Sequence, residues 1–140
     1  MKNKAPLSLM EQLIMLLVFA LSVALCLQIF VFSAQISRRC EAQGHAVTAV
    51  QNTAETLKFC RGDVSCYRQL LGGSGNAQQW EIGYDKNWDA TSSKQAAYRI
   101  LITPEPTSLS TLGRASIRAL TETGQELFSV TVSWQEVTHG

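Results

Sequence analysis

The sequence predicts an α+β fold in which one long N-terminal helix packs on a four-stranded antiparallel sheet. Three observations support this prediction. Twenty nearly unbroken apolar residues, 13–32, lie close to the start of the sequence. A pattern with helical spacing and without proline follows at residues 34–57. From residue 79 onward apolar and polar residues alternate instead, which is typical of strands that bury one face.

Length and charge limit the organisation of the chain. It has 140 residues and a formal net charge of +1, and its basic residues form no cluster larger than the pair Arg38 and Arg39. We therefore expect neither a nucleic-acid partner nor a polybasic lipid site. The predicted divisions are a leader or short cytoplasmic segment at 1–6, a transmembrane half-helix at 7–33 and one soluble domain at 34–140. That domain consists of an amphipathic helix at 34–59, a loop at 60–78 and a sheet at 79–136.

The apolar segment 13–32 is interrupted only by Ser22 and Gln28. Twenty residues in helical rise match the hydrocarbon thickness of a bilayer, so we predict a transmembrane helix in contact with lipid. A secretory signal peptide is the alternative, since Lys2 and Lys4 would form its basic start. The segment is longer than the apolar core of a signal peptide, and no Ala-x-Ala site follows it. We expect a single-pass protein of the cell membrane with its C-terminal domain on the extracytoplasmic side.

The second half of the helix carries one apolar seam. Its gaps alternate between four and three residues, and Gln43 is out of pattern. This seam is the only apolar stripe available to cover a sheet. Cys26 in the span and Cys40 on the seam are interpreted as packing residues. The members of the seam are Ile36, Cys40, Val47, Val50, Ala54 and Leu57.

Glu11 stands beside the apolar segment, where a carboxylate is unfavourable unless it caps, pairs or reaches water. One interpretation is structural: Ser8-x-x-Glu11 matches a capping box, in which Ser8 is the N-cap. The other interpretations are that the carboxylate reaches water or pairs with a positive charge.

The N-terminal pattern resembles that of type IV pilins and type II secretion pseudopilins, in which a short basic leader precedes a Glu at the fifth mature position and a long apolar helix. The resemblance implies that a prepilin peptidase cleaves between Pro6 and Leu7. It also implies that Glu11 meets the N-terminal amine of a neighbouring pilin-like subunit. The family's soluble domain is a helix laid across an antiparallel sheet, in agreement with the periodicity.

The cleavage position departs from the family pattern. The family favours Gly, or less often Ala, before the cut, whereas this chain has Pro6. Cleavage after Ala5 instead would leave Pro6 as the first residue and would place Glu11 sixth. Either the peptidase tolerates this variant, or the protein has the shape of a pilin and keeps its leader.

Cys60 and Cys66 can close a small loop, so we predict a disulfide between them if the domain lies outside the cytoplasm. His45 and His139 are isolated in the sequence, and we expect no metal site and no cofactor. No cysteine has a local signature of nucleophilic catalysis. We therefore expect that the protein is not an enzyme, and no small-molecule substrate is indicated.

The sheet is predicted as two hairpins. The first pairs residues 79–85 with 97–103 across a polar turn at 86–93, and the second pairs 115–119 with 128–134. Two prolines place a loop at 104–113. Trp80 and Trp134 are in phase with buried positions, whereas Trp88 lies in the turn and is the candidate for contact with a partner.

These observations favour a structural function, namely assembly through the apolar helix into a type IV pilus or a filament of the type II secretion kind. The alternative is a signal-anchored extracytoplasmic domain that binds a ligand or acts as a sensor. Processing next to Leu7 would favour the filament, whereas an intact segment 1–6 would favour the tether.

Overall fold

The computed structural model describes residues 4–136. Residues 1–3 of the predicted leader and His139 lie outside this range. The chain forms two compact units that divide between Cys40 and Glu41. Helix α1, Ala5–Phe59, continues through this boundary as one α-helix. Residues 5–33 are called the apolar half of α1 below, and residues 41–136 are called the sheet domain.

Helix α1 starts earlier than the sequence pattern predicted. Its first residue is Ala5, and the backbone N–H of Ser8 donates to the carbonyl of Lys4 at 3.0 Å. The predicted capping box is therefore wrong, because Ser8 lies inside the helix and Glu11 lies beyond its first turn. Pro6 explains the early start: in the first turn its missing N–H would have no partner within the helix in any case.

In the sheet domain, α1 buries a seam that agrees with the prediction only toward its C-terminal end. Val50, Ala54 and Leu57 are buried as predicted. Ile36, at 47% exposure, and Cys40 are exposed, so the seam does not extend back to them. Two residues absent from the prediction, Ala46 and Thr53, are fully buried. Thr53 tolerates burial because its hydroxyl donates to the carbonyl of Ala49 at 2.8 Å.

The segment 60–78, predicted as a loop, contains helix α2, Val64–Leu71. Asp63 caps this helix, since its carboxylate accepts the backbone N–H of Ser65 at 3.1 Å. A disulfide joins Cys60 to Cys66 with their Cα atoms 5.6 Å apart, as predicted. It connects the residue after α1 to the first turns of α2.

The sheet contains the four predicted strands and two further strands of two residues each. All pairs are antiparallel, and the order is β1-β2-β4-β5-β6, with β3 paired to β2. The strands are β1 Ser74–Gly75, β2 Trp80–Tyr84, β3 Ala90–Thr91, β4 Tyr98–Glu105, β5 Leu112–Thr121 and β6 Glu126–Gln135.

Strand β4 runs through Pro104 to Glu105, so the loop predicted from residue 104 begins too early. Pro104 pairs in register with Ala115 of β5, whereas the pairing with β2 ends at Ile102. The last residues of β4 therefore have a strand neighbour on one side only. A proline, which lacks an N–H, is tolerated in such an edge position.

The core lies between the inner face of the sheet and helix α1, as the alternation predicted. Its largest fully buried side chains come from both layers. Ser129, Thr131 and Ser133 of β6 are exposed on the opposite face. The fully buried set is Val50, Thr53, Leu57, Ile82, Ile100, Ile102 and Ile117.

Candidate functional site

The apolar half of α1 is the most unusual surface of the protein. Every residue from Lys4 to Glu41 is exposed, and by length and composition the helix could cross a membrane. Folded proteins in water rarely expose contiguous apolar areas of more than a few hundred Å². This surface is consistent with membrane anchoring.

Two polar side chains within the apolar half differ in whether the chain satisfies their hydrogen bonds. The Ser22 hydroxyl donates to the carbonyl of Val18 at 2.8 Å, so it needs no water. Glu11 has no such internal partner: its side chain is exposed and forms no salt bridge within residues 4–136. Its carboxylate needs either water or a cation from outside the chain.

Pro6 and Leu7, the predicted processing site, lie in the first turn of α1, and both are exposed. Proteases bind their substrates in an extended conformation, so cleavage here would require this turn to unwind. First turns are the least stable part of a helix. The position of cleavage stays a prediction.

Trp88, the candidate for contact with a partner, packs within its own domain. The carboxylate of Asp85 accepts the N–H groups of Asn87 and Asp89 at 2.8 and 3.0 Å, and this turn holds Trp88 at a φ of +64°. Its indole stacks on Tyr98, with ring centroids 4.3 Å apart.

Trp88 also stacks on His45 of α1, with centroids 5.9 Å apart and an interplanar angle of 21°. Trp88 therefore packs the β2–β3 turn against the helix. The indole is half-buried, so part of its surface remains available to a partner.

A groove of about 310 Å³ lies at the other end of the sheet domain. Leu57, Tyr67, Ile102 and Trp134 line it, together with residues of the β4–β5 loop. The indole Nε1 of Trp134 is buried without a hydrogen-bond partner. Burial and the charge of Asp63 both raise the pKa of Tyr67, so its hydroxyl stays protonated at neutral pH. The groove thus lies beside a neutral tyrosine hydroxyl and a buried indole N–H.

Two of the four cysteines are bonded and two are free. Cys60 and Cys66 form the disulfide, whereas Cys26 and Cys40 are free and exposed. Within the described part of the chain, no three His, Cys, Asp or Glu side chains lie close enough together to hold a metal ion.

Comparisons with protein-family models, with curated proteins and with solved structures find no match to this chain.

Sequence reasoning missed the groove and the unpaired Trp134 indole. The alternation of β6 placed Trp134 on the inner face, but it could not show that no acceptor would reach its nitrogen. Gly62 and Gly113 carry the available signal. Both lie against the Trp134 ring where a side chain would collide with it.

Proposed function

We propose that this protein is a membrane-anchored structural subunit of the pilin-like type, which assembles through the apolar half of α1 into a filament. The observation that carries the proposal is the complete exposure of that half in a single chain. An exposed apolar helix that continues as the core helix of a folded domain is suited to being covered by copies of itself.

The energetics require some cover for this helix. Residues 7–32 include eighteen large apolar side chains that are mostly exposed. Each stabilises by about 1.5 to 3 kcal/mol when fully buried, so leaving them in water costs on the order of 20 kcal/mol or more. Lipid tails and packed helices are similarly apolar. Moving the helix from a bilayer into a bundle therefore exchanges one cover for another.

Glu11 supports assembly over simple anchoring. An anchor gains nothing from a carboxylate between Met10 and Gln12, whereas a bundle can use it to select a register. In apolar surroundings an ion pair with the N-terminal amine of a neighbouring subunit would satisfy the charge. This role requires a free mature amine near Leu7, and hence a prepilin peptidase.

The disulfide supports the placement of the sheet domain outside the cytoplasm. Disulfides persist in oxidising compartments and are rare where thiols are kept reduced. The Cys60–Cys66 bond therefore favours a single-pass topology in which the C-terminal domain faces the periplasm or the cell exterior.

The alternative function is a tethered extracytoplasmic domain that binds a ligand. The groove beside Trp134 favours it, because a concave surface lined by both polar and apolar residues is typical of small-molecule sites. In that case the apolar half would act only as an anchor.

The filament proposal can be tested by measuring the intact mass and the N-terminal sequence of the protein. The protein is isolated from membranes of cells that contain a prepilin peptidase. The filament proposal predicts loss of the leader and a new amine at Leu7 or Pro6. Recovery of the intact leader in membranes and in any filaments would contradict it.

A second arm examines Glu11 directly. Glu11→Gln should abolish filament incorporation while leaving the protein in the membrane, whereas the neighbouring change Gln12→Ala should have little effect. Equal incorporation of both variants would remove the proposed role of Glu11.

A further inference from the structure

The two edges of the sheet differ in how completely they are paired with other strands. At one edge, β1 pairs with Trp80 and Glu81, and β3 pairs with Gly83 and Tyr84, so four of the five residues of β2 are covered. At the other edge, β6 extends over ten residues with no strand on its outer side within residues 4–136. Alternate residues of β6 therefore direct backbone N–H and C=O groups outward without a strand partner.

Strand β6 also lacks the features that normally protect an edge. Proteins block such edges with prolines, lysines, bulges or very short strands. β6 contains no proline and no lysine, and residues 127–135 carry no charge. The bulge in its pairing, at Ala119 and Leu120, lies near the beginning of β6 and leaves the rest regular.

The sequence of the exposed strand is nearly palindromic. Residues 128–134 read Phe-Ser-Val-Thr-Val-Ser-Trp. An antiparallel pair of two such strands, centred on Thr131, would place like beside like at every position. The opposed residues would be Phe128 with Trp134, Ser129 with Ser133, Val130 with Val132, and Thr131 with its own copy. Aromatic, β-branched and hydroxyl pairs of this kind stabilise antiparallel sheets.

We propose that the free edge of β6 docks a second copy of this chain, strand β6 to strand β6, around a two-fold axis at Thr131. Phe128, Val130 and Trp134 remain half-buried in a single chain, although Val132 beside them is buried. A neighbouring inner face would cover them. An isologous contact of this type is self-complementary and closes as a dimer.

The antiparallel register fixes the relation between the two chains. It reverses the strand direction from one sheet domain to the other. The inference does not depend on the proposed function, and it can hold for a tethered domain as well.

Cysteine cross-linking tests the register in the full chain in dodecyl maltoside micelles. In a background of Cys26→Ala and Cys40→Ala, Thr131→Cys places two thiols opposite each other, since opposed Cα atoms in antiparallel strands lie about 4.5 to 5.5 Å apart. Mild oxidation with copper phenanthroline should give a reducible dimer on denaturing gels. The matched control is Thr103→Cys, an exposed threonine on the same face of the sheet in β4. It should cross-link far less.

Charge substitution tests the same contact without oxidation. Thr131→Lys and Thr131→Glu each place like charges across the axis and should weaken dimerisation about fivefold or more. A mixture of the two variants should restore a mixed dimer, and Thr103→Lys should behave as the unchanged protein. Sedimentation in density-matched micelles gives the masses.

The mixed dimer distinguishes strand pairing from association of the apolar helices, which neither substitution touches. A monomeric unchanged protein would overturn the inference. So would a dimer that is insensitive to both substitutions, or equal cross-linking at positions 131 and 103. None of these results bears on leader cleavage or on Glu11.

Discussion

The two halves of helix α1 relate hydrophobicity to burial in opposite ways. In the apolar half, Leu17 is 60% exposed and Phe30 is 74% exposed. In the sheet domain, Val50 and Leu57 are 0% and 1% exposed along a stripe that also includes a buried threonine. The more apolar half is thus the less buried one.

The composition of each half suits it to different surroundings. The half within the sheet domain is amphipathic because water covers one side of it and the sheet covers the other. The apolar half is apolar all round, which is typical of a helix surrounded by lipid or by other helices.

The largest effect is expected from a matched pair of substitutions, Val50→Asp and Val18→Asp. At position 50 the carboxylate would be buried without a partner, which should destabilise the sheet domain by about 3 to 5 kcal/mol. At position 18 the thermal unfolding of the sheet domain, followed by circular dichroism in micelles, should not change. There the substitution should reduce retention in membranes, because an acidic residue in the middle of a span costs about 3 kcal/mol. Equal destabilisation by both variants would contradict the division.

The next effect concerns the disulfide, which closes a small loop between the end of α1 and α2. The double variant Cys60→Ala and Cys66→Ala should lower the free energy of unfolding of the sheet domain by about 2 kcal/mol, mainly by freeing the unfolded chain. Cys40→Ala is the control and should have no effect on the same denaturant curve, since Cys40 is exposed. An unchanged midpoint in the double variant would show that the disulfide adds nothing to stability.

A matched pair of glycine substitutions tests the packing around Trp134. Gly113→Ala would place a methyl group against the indole of Trp134, which also lies against Gly62, so overpacking should destabilise by about 1 to 3 kcal/mol. Gly44→Ala in α1 meets open space and should stabilise by up to about 1 kcal/mol, because alanine is the better helix former. Denaturant midpoints compare the two, and the same sign of change in both would contradict the packing around Trp134.

The smallest effect concerns Glu126 on the outer face of the sheet. Hydrogen bonds from the Ser129 hydroxyl and the Arg118 guanidinium lower the pKa of Glu126 below its usual value. Its contribution to stability is therefore present above about pH 4.5 and is lost as the pH falls through the lowered pKa. Glu126→Gln should reduce the melting temperature slightly at neutral pH. The difference from the unchanged protein should disappear in acid, and a difference that grows in acid would have the wrong sign.

The sequence predicted best those parts in which the periodicity was long and uninterrupted. The alternation of β6 predicted both its inner and its outer residues, and the spacing of Cys60 and Cys66 led to the disulfide. The fold class follows from these patterns, because period two and period 3.6 exclude each other within one segment.

The predictions that were wrong depended on short sequence signals that the surrounding structure overrode. The eight residues of α2 are too few to show a helical period, and Asp63 gave the only sign of a cap. Pro104 indicated a loop, yet β4 tolerates it because the pairing of β4 with β2 has already ended at Ile102. The Ser8 capping box fitted by spacing, but Pro6 allowed the helix to begin one turn earlier. The groove at Trp134 depends on contacts between distant segments, which periodicity does not report.

The two free cysteines can test whether lipid or other helices cover the apolar half of α1, as we propose. Cys26 lies within the apolar span and Cys40 lies beyond it, and both are exposed in the single chain. In the full-length protein reconstituted into lipid vesicles with the sheet domain outward, a membrane-impermeant maleimide should label Cys40 rapidly. It should label Cys26 only after the lipid is dissolved and the protein is denatured. Equal labelling of both thiols in intact vesicles would contradict the account.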